Sequence, residues 1–341
     1  MRIRDIRRST LGVVLAAGAM TLIGSSAHAQ ADKTYVMKLS TATINDTQHE
    51  WFKRFAALVE KNSGGKIKPE IYPASQLGSI PRQIEGVQFV SIQAWMGPPE
   101  FLVGVDERFE AMSAPGLFSS VDQVMKVAQD PAIQKQFYAL GEAKGLIGFG
   151  FAPIGPSSIM TKKQVLKLAD LAGMKIRVLA SPFQLELIRR MGASPIAMTL
   201  ADVLPGMQQG TIDGTLTTMT IYTTMHYYDV AKYVIETDQP YVNSIGMVSK
   251  KWMDALPPDL QTVVRDSGAK ITAEITPYVK EFFAEQARIL VSKGGVISKL
   301  AKAEHDDMIT KVSSIGDDLS KSKPGLNQMV KTLFESAARN K

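Results

Sequence analysis

The chain has no cysteine. That excludes disulfides and thiolate-bound metal, so stability has to come from packing, and a chain of 341 residues buries ample surface for that. Histidine is scarce too. Beyond the first 29 residues there are only His49, His226 and His305, far apart and sharing no motif. Each reads more simply as a surface or satisfied imidazole than as a metal ligand or general base. The common catalytic signatures are missing: no G-x-S-x-G elbow, no G-x-G-x-x-G turn, no phosphate-binding G-x-x-x-x-G-K-S/T loop and no H-E-x-x-H pair. After residue 29 no stretch reaches the roughly 20 apolar residues of a membrane span. A strong charge of one sign is lacking as well. The formal net charge is +6, but the first 29 residues hold four arginines against one aspartate, which leaves +3 for the rest. So weak a bias gives no argument for nucleic acid.

What is present begins with a leader. MRIRDIRRST is basic, Leu11 to Ile23 is apolar, and Ala27-His28-Ala29 is an A-x-A cleavage site. This order predicts a secretory signal peptide, residues 1–29, cut after Ala29 and too short in its apolar run to span a bilayer. Arg7-Arg8 leaves both general and twin-arginine export open. The remainder is expected in the periplasm.

The most informative stretch is residues 171–233. Met174 to Ala180 alternates as a short strand, with Met174, Ile176 and Val178 on one face and Lys175 and Arg177 on the other. Ser181 caps a helix that has Pro182 at its first position and stops at Gly192. Ser194 to Met198 is a second strand. Thr199 with Asp202 resembles a capping box at the start of a helix that ends near Gly210, and Pro205 is expected to bend or delay that helix. Strand–helix–strand units of this length imply parallel strands, whose carboxyl ends face a ligand crevice. Elsewhere, Tyr35 to Thr41 and Lys66 to Tyr72 read as strands flanking a helix from Glu50 to Asn62, in which Trp51, Phe55 and Leu58 form a core face. Phe89 to Ala94 leads into an exposed loop, Trp95-Met96-Gly97-Pro98-Pro99. Val121 to Lys144 reads as one helix and Leu146 to Ala152 as a strand. Two segments, Pro153 to Ser157 and Tyr233 to Val248, read as crossings between lobes. Pro257-Pro258 opens a long apolar-faced helix interrupted by Pro277, and two polar-faced helices close the chain.

Several of these motifs carry a resemblance. G-M-K-I-R-V, then G-A-S-P-I-A-M, then Q-Q-G-T-I-D-G, with Y-P-A-S-Q-L-G near residue 72 and A-P-G-L-F near 114, are similar to the solute-binding proteins of tripartite ATP-independent periplasmic (TRAP) transporters, the DctP-type family. Each motif alone is weak, but their order and spacing extend from about Tyr35 to about Phe334. The resemblance implies an α/β, two-lobed periplasmic binding protein-like fold with hinge crossings and a long helix spanning both lobes. The expected lobes are 30–153 plus 241–280, and 154–240 plus 281–341. It also implies that Arg177 holds a ligand carboxylate and that Thr217 stands where a number of family members have Asn. Some members carry a second Arg at the position of Ser157, and its absence argues against ligands that need that cation.

Ser157, Thr199 and Thr217 are candidates for neutral hydrogen bonds to the ligand, and Trp95, Met96 and Phe183 for apolar walls. One Arg among neutral polar and aromatic groups suggests a monocarboxylate or 2-oxo acid. A dicarboxylate would need a second cation, for which Arg82 is the nearest candidate. The expected partners are a small-molecule carboxylate and the membrane subunits of a TRAP transporter, with no cofactor, no metal, no nucleic acid and no insertion of the mature chain into the membrane. Other readings stay open at this point: a binding protein of an ATP-driven importer, a sensor subunit, or an exported α/β enzyme whose nucleophile or metal constellation the sequence does not reveal.

Overall fold

The structure is a computed structural model that describes residues 33–341, so the leader and its cleavage site lie outside the described residues. The first lobe starts as the sequence suggests. β1 (Tyr35–Ser40) leads to α1 (Thr47–Asn62), and β2 (Ile67–Tyr72) to α2 (Ile80–Gln88). Asp46 caps α1 by accepting from the His49 amide. Trp51 and Phe55 on α1 stack at 5.1 Å, and both meet Phe149 edge-on. Leu58 is only partly buried, and Val59 completes the buried face instead.

β3 (Ala94–Gly97) corrects an expectation. Trp95 and Met96 sit on a strand, paired with β1 and with a later strand over Tyr233–Ser249, and not in a loop beyond one. Two 3-10 segments follow, Pro99–Leu102 and Glu107–Ser113. The single helix expected over 121–144 is two, α3 (Val121–Ala128) and α4 (Pro131–Ala139). Pro131 has no N–H to continue α3, and Asp130 accepts from the Ala132 amide to start α4.

The expected crossings are also strands. β4 (Leu146–Thr161) runs straight through the Pro/Gly cluster of the first expected crossing. The second lobe then builds β5 (Lys175–Val178), α5 (Pro182–Arg190), β6 (Ser194–Ala197), α6 (Leu200–Gln209), β7 (Gly214–Thr218) and α7 (Met219–Thr224). β8 (Tyr233–Ser249) returns antiparallel to β4 along almost its whole length. The register slips by one extra residue on β4 near Gly148 and Pro153, and near Pro156 residues 237–240 of β8 loop out against Ser157. Gly155 lies at one slip with φ +142°, and a Cβ there would approach Phe283 to 2.8 Å. Only glycine fits both demands.

All strands join one nine-stranded sheet in the order β2-β1-β3-β8-β4-β7-β5-β6, with β9 (Val296–Lys299) added beside β8. β1, β2 and β3 run parallel, as do β5, β6 and β7, so each lobe is an open parallel sheet and the β4/β8 ribbon links them. After α8 (Lys250–Asp254), the expected long helix is α9 (Pro258–Glu274) and α10 (Thr276–Ser292), broken at Ile275 where Pro277 removes a hydrogen bond. α9 packs on α1 and α10 on α7, so the pair still spans both lobes. The chain closes with three helices rather than two: α11 (Lys302–Val312), α12 (Ile315–Ser320) and α13 (Pro324–Arg339). α12 lies on α5, but α13 packs against residues 107–113 and α3. The C-terminal helices therefore touch elements on both sides of the expected lobe boundary.

Candidate ligand-binding site

The carboxyl ends of β1, β3, β5 and β7 converge on a cavity between the lobes. Traced by the centre of a water-sized sphere it measures about 40 Å³, space for roughly three waters or the polar end of a small ligand. One wall comes from the first lobe, with Thr43, Gln48, Trp95, Met96 and Phe101. The other comes from the second lobe, with Arg177, Leu179, Gln184 and Thr217, and Ser157 on the ribbon lies between them.

Arg177 is 0% exposed. It sits in the middle of β5, opposite Ile196 of β6 and Thr215 of β7. The sequence alternation sets Arg177 apart from the Ile176 face, and its burial comes from the crevice rather than from the core. Its Nε donates to the Met198 carbonyl at 3.0 Å, which fixes the plane of the guanidinium. Both terminal nitrogens are buried and have no hydrogen-bond partner in the protein among the described residues. No carboxylate pairs with it among the described residues either. Burial draws its pKa down to about 10, with the neighbouring phenols Tyr227 and Tyr222 acting the other way, so the group stays cationic at neutral pH. A buried cation with two free donors in one plane is a fork for a carboxylate.

Around the fork other groups are free. Trp95 Nε1 and Ser157 Oγ are buried in the cavity wall and unpartnered among the described residues. Tyr222 Oη lies 3.2 Å from the carbonyls of Thr215 and Thr217 and closer still to that of Ser158, which pins the β4/β7 edge carrying Thr217 and Ser157. The amide acceptors are already used: Gln48 Oε1 accepts from Thr41 Oγ1 at 2.8 Å, and Gln184 Oε1 from the Leu179 amide at 3.1 Å.

Of the candidates read from sequence, Arg177, Thr217, Trp95, Met96 and Ser157 are brought together here. Two are not. Phe183 is buried in the hydrophobic core under α5, pointing away from the cavity wall that its neighbour Gln184 joins. Thr199 caps nothing with its side chain; its hydroxyl donates to Asp202 on the outside of α6. α6 itself starts at Leu200 in spite of Pro205, because the proline's missing N–H removes a single early bond. Arg82 is also remote, largely exposed and 3.5 Å from Glu85. Sequence reading missed Thr43, Gln48, Phe101 and Gln184. Gln48 and Gln184 each lie in the first helical turn after a parallel strand, where the crevice rule would have found them.

The profile of the bacterial extracellular solute-binding protein family 7, DctP, matches residues 40–322. The chain belongs to that family, the substrate-binding component of TRAP transporters. It is 28% identical over 288 residues to the C4-dicarboxylate-binding periplasmic protein DctP of Rhodobacter capsulatus, an alignment that covers 82% of this chain and 83% of that one. Two solved structures share the fold. A TRAP periplasmic solute-binding protein of Desulfovibrio salexigens with bound orotic acid superposes with a TM-score of 0.85 at 20% identity, covering 90% of this chain and all of that one. The sugar acid binding protein DctPAm of Advenella mimigardefordensis in complex with galactonate gives 0.85 at 21%, covering 91% and 99%. The DctP family is periplasmic, and no described helix of this member is long and apolar enough to cross a membrane.

Proposed function

We propose that this DctP-family protein captures a monocarboxylate, most favourably a 2-oxo acid or an acid with an aromatic or aliphatic body, and hands it to the membrane subunits of a TRAP transporter without chemically altering it. The single observation that carries the reading is the Arg177 fork, buried in the cavity with both terminal nitrogens free. A carboxylate would take two parallel charge-assisted bonds there, each contributing roughly 1.5–3 kcal/mol.

The rest of the wall narrows the class. Arg177 is the one cation that lines the cavity among the described residues, which disfavours a second carboxylate. Among the described residues no carboxylate lines it, and the oxygens of Gln48 and Gln184 are committed to protein donors. A polyhydroxylated acid brings several donors that would find few acceptors, and leaving them unpaired on burial costs about 1–3 kcal/mol each. The free Trp95 N–H and Ser157 hydroxyl instead suit an acceptor near the carboxylate, such as a 2-oxo group. Relatives and fold neighbours are named for a C4-dicarboxylate, orotic acid and galactonate, so the fold alone leaves the ligand open and the wall chemistry has to select it. Contacts from both walls favour the closed arrangement, because the ligand binds it better than an open one.

The test is thermal unfolding of the mature protein against 2-oxo acids, aromatic and aliphatic monocarboxylates, dicarboxylates and hexuronates, for wild type and Arg177→Ala. A ligand at about 100 times its dissociation constant adds roughly 2.7 kcal/mol to stability. Stabilisation by monocarboxylates in the wild type alone supports the reading. Stabilisation confined to dicarboxylates or hexuronates overturns the ligand class, and equal stabilisation of both proteins overturns the anchor.

A further inference from the structure

Besides Asp46, the cap of α1, two acidic side chains outside the cavity wall are buried among the described residues. Glu100 lies in the 3-10 turn Pro99–Leu102 and Glu110 in the 3-10 helix Glu107–Ser113, both in the segment that leaves β3 of the first lobe. Both reach the N-terminus of α5 in the second lobe. Glu110 Oε1 accepts from the Phe183 amide at 2.8 Å and from Ser181 Oγ at 2.5 Å. Glu100 Oε1 faces Gln184 Nε2 at 3.4 Å. The second oxygen of each carboxyl is buried and unpartnered among the described residues. Gln184 is itself a cavity-wall residue, so this contact lies directly behind the proposed site.

One negative charge suits this place. Two donors and the positive end of α5 face Glu110. A second has nothing to balance it. From α13 the facing charge is Lys323, which pairs with Glu107 at 3.0 Å. On the 3-10 helix Arg108 is held by Asp106. On α5 Glu186 is taken by Arg190, which also binds Asp318 of α12, and Asp318 holds Lys321 as well. β8, which packs on residues 107–113, carries Glu236, paired with Lys299, as well as Asp238 and Tyr241, a phenol that burial pushes up to about 12.

We propose that Glu100 and Glu110 form a proton-dependent clasp between the lobes, which holds residues 98–113 against α5 while the pair keeps at least one proton and lets go when both ionise. Burial pushes Glu100 up to about 8 and Glu110 up to about 7, so release falls in the mildly alkaline range. The role in closing a ligand site rests on the solute-binding reading above. The clasp itself is tested without any ligand, so the two fail separately.

Because the chain has no cysteine, a Lys61→Cys, Ala197→Cys pair places one label on α1 and one on β6, both exposed and on opposite lobes. Inter-label distance distributions are measured at pH 6 and pH 9 in the ligand-free protein, with and without Glu100→Gln and Glu110→Gln together. The expected result is at least a threefold rise in the wide-separation population at pH 9, and none in the double variant, whose amides keep the acceptors but cannot ionise. The single variant Glu100→Gln, a smaller perturbation, should also show no rise, because Glu110 alone can supply only one charge. An identical distribution at both pH values in the wild-type background, or a rise of the same size in the variants, overturns the clasp.

Discussion

The two walls of the cavity differ in kind. The second-lobe wall contributes a fixed charge: Arg177 is anchored in a central strand, its Nε is tied to Met198, and the phenol of Tyr222 braces the next strand edge. The first-lobe wall contributes shape and neutral polarity, through Trp95 and Met96 on β3, Phe101 and Gln48. The difference teaches how a two-lobed binder divides its work. The bidentate contact proposed for Arg177 would depend steeply on geometry, and the strand and the Met198 bond hold its guanidinium plane. Apolar and neutral contacts are less directional and tolerate small shifts between the walls.

Removing the charge should break this comparison most severely. Arg177→Ala is expected to weaken binding of a stabilising monocarboxylate at least 100-fold by calorimetry, because it leaves the ligand anion buried and unpaired at a cost of about 3–5 kcal/mol. The ligand-free variant should unfold at or near the wild-type midpoint, since the loss of an unsatisfied buried cation offsets part of the lost packing. Arg177→Lys should recover charge but not the planar fork, and remain well below wild type in affinity.

A second experiment sharpens the comparison through the contact between the walls. Glu100 and Glu110 have pKa values raised by burial, to about 8 and about 7. The folded state therefore keeps protons that the unfolded chain releases near the ordinary 4.5. Their contribution to stability is complete below about 4.5 and is lost as pH rises through about 7 to 8. Thermal midpoints should fall between pH 6 and pH 8.5, and Glu100→Gln should flatten that slope.

Smaller effects separate the neutral groups. Trp95→Phe keeps an aromatic wall but removes the free N–H, and should weaken binding of a 2-oxo acid by roughly 3–10-fold, the value of one neutral hydrogen bond, while changing an acid without the 2-oxo group much less. Thr199→Ala should alter affinity less than about twofold, since its hydroxyl binds only Asp202 on the exterior. A large effect of Thr199→Ala would show that α6 moves into the site on closure.

The candidate site was legible where local rules and the crevice geometry agree. Ser181 as cap, Pro182 at the helix start and Gly210 at the end of α6 are local backbone chemistry, and the structure shows all three. Arg177 was picked out by motif order. Phe183 was misplaced because helical position says which residues follow a strand end, not which face of α5 meets the core. The two crossings were legible as links between the lobes, but not that they are strands, because Pro and Gly signal turns locally whereas β4 and β8 pair with one another and absorb the irregularities as register shifts.

The amino-acid order by itself determined the parallel strand–helix units, the absence of disulfides, the caps at Ser181 and Gly210 and the strand position of Arg177, because each depends on neighbours in the chain. Tertiary structure alone decided that Arg177 has two free nitrogens, that Trp95 stands on a strand with its N–H unpaired, that α13 returns to the first lobe, and that two glutamates 10 residues apart share one buried helix end. Those properties depend on which groups distant parts of the chain leave unsatisfied when they pack, and no local pattern encodes that.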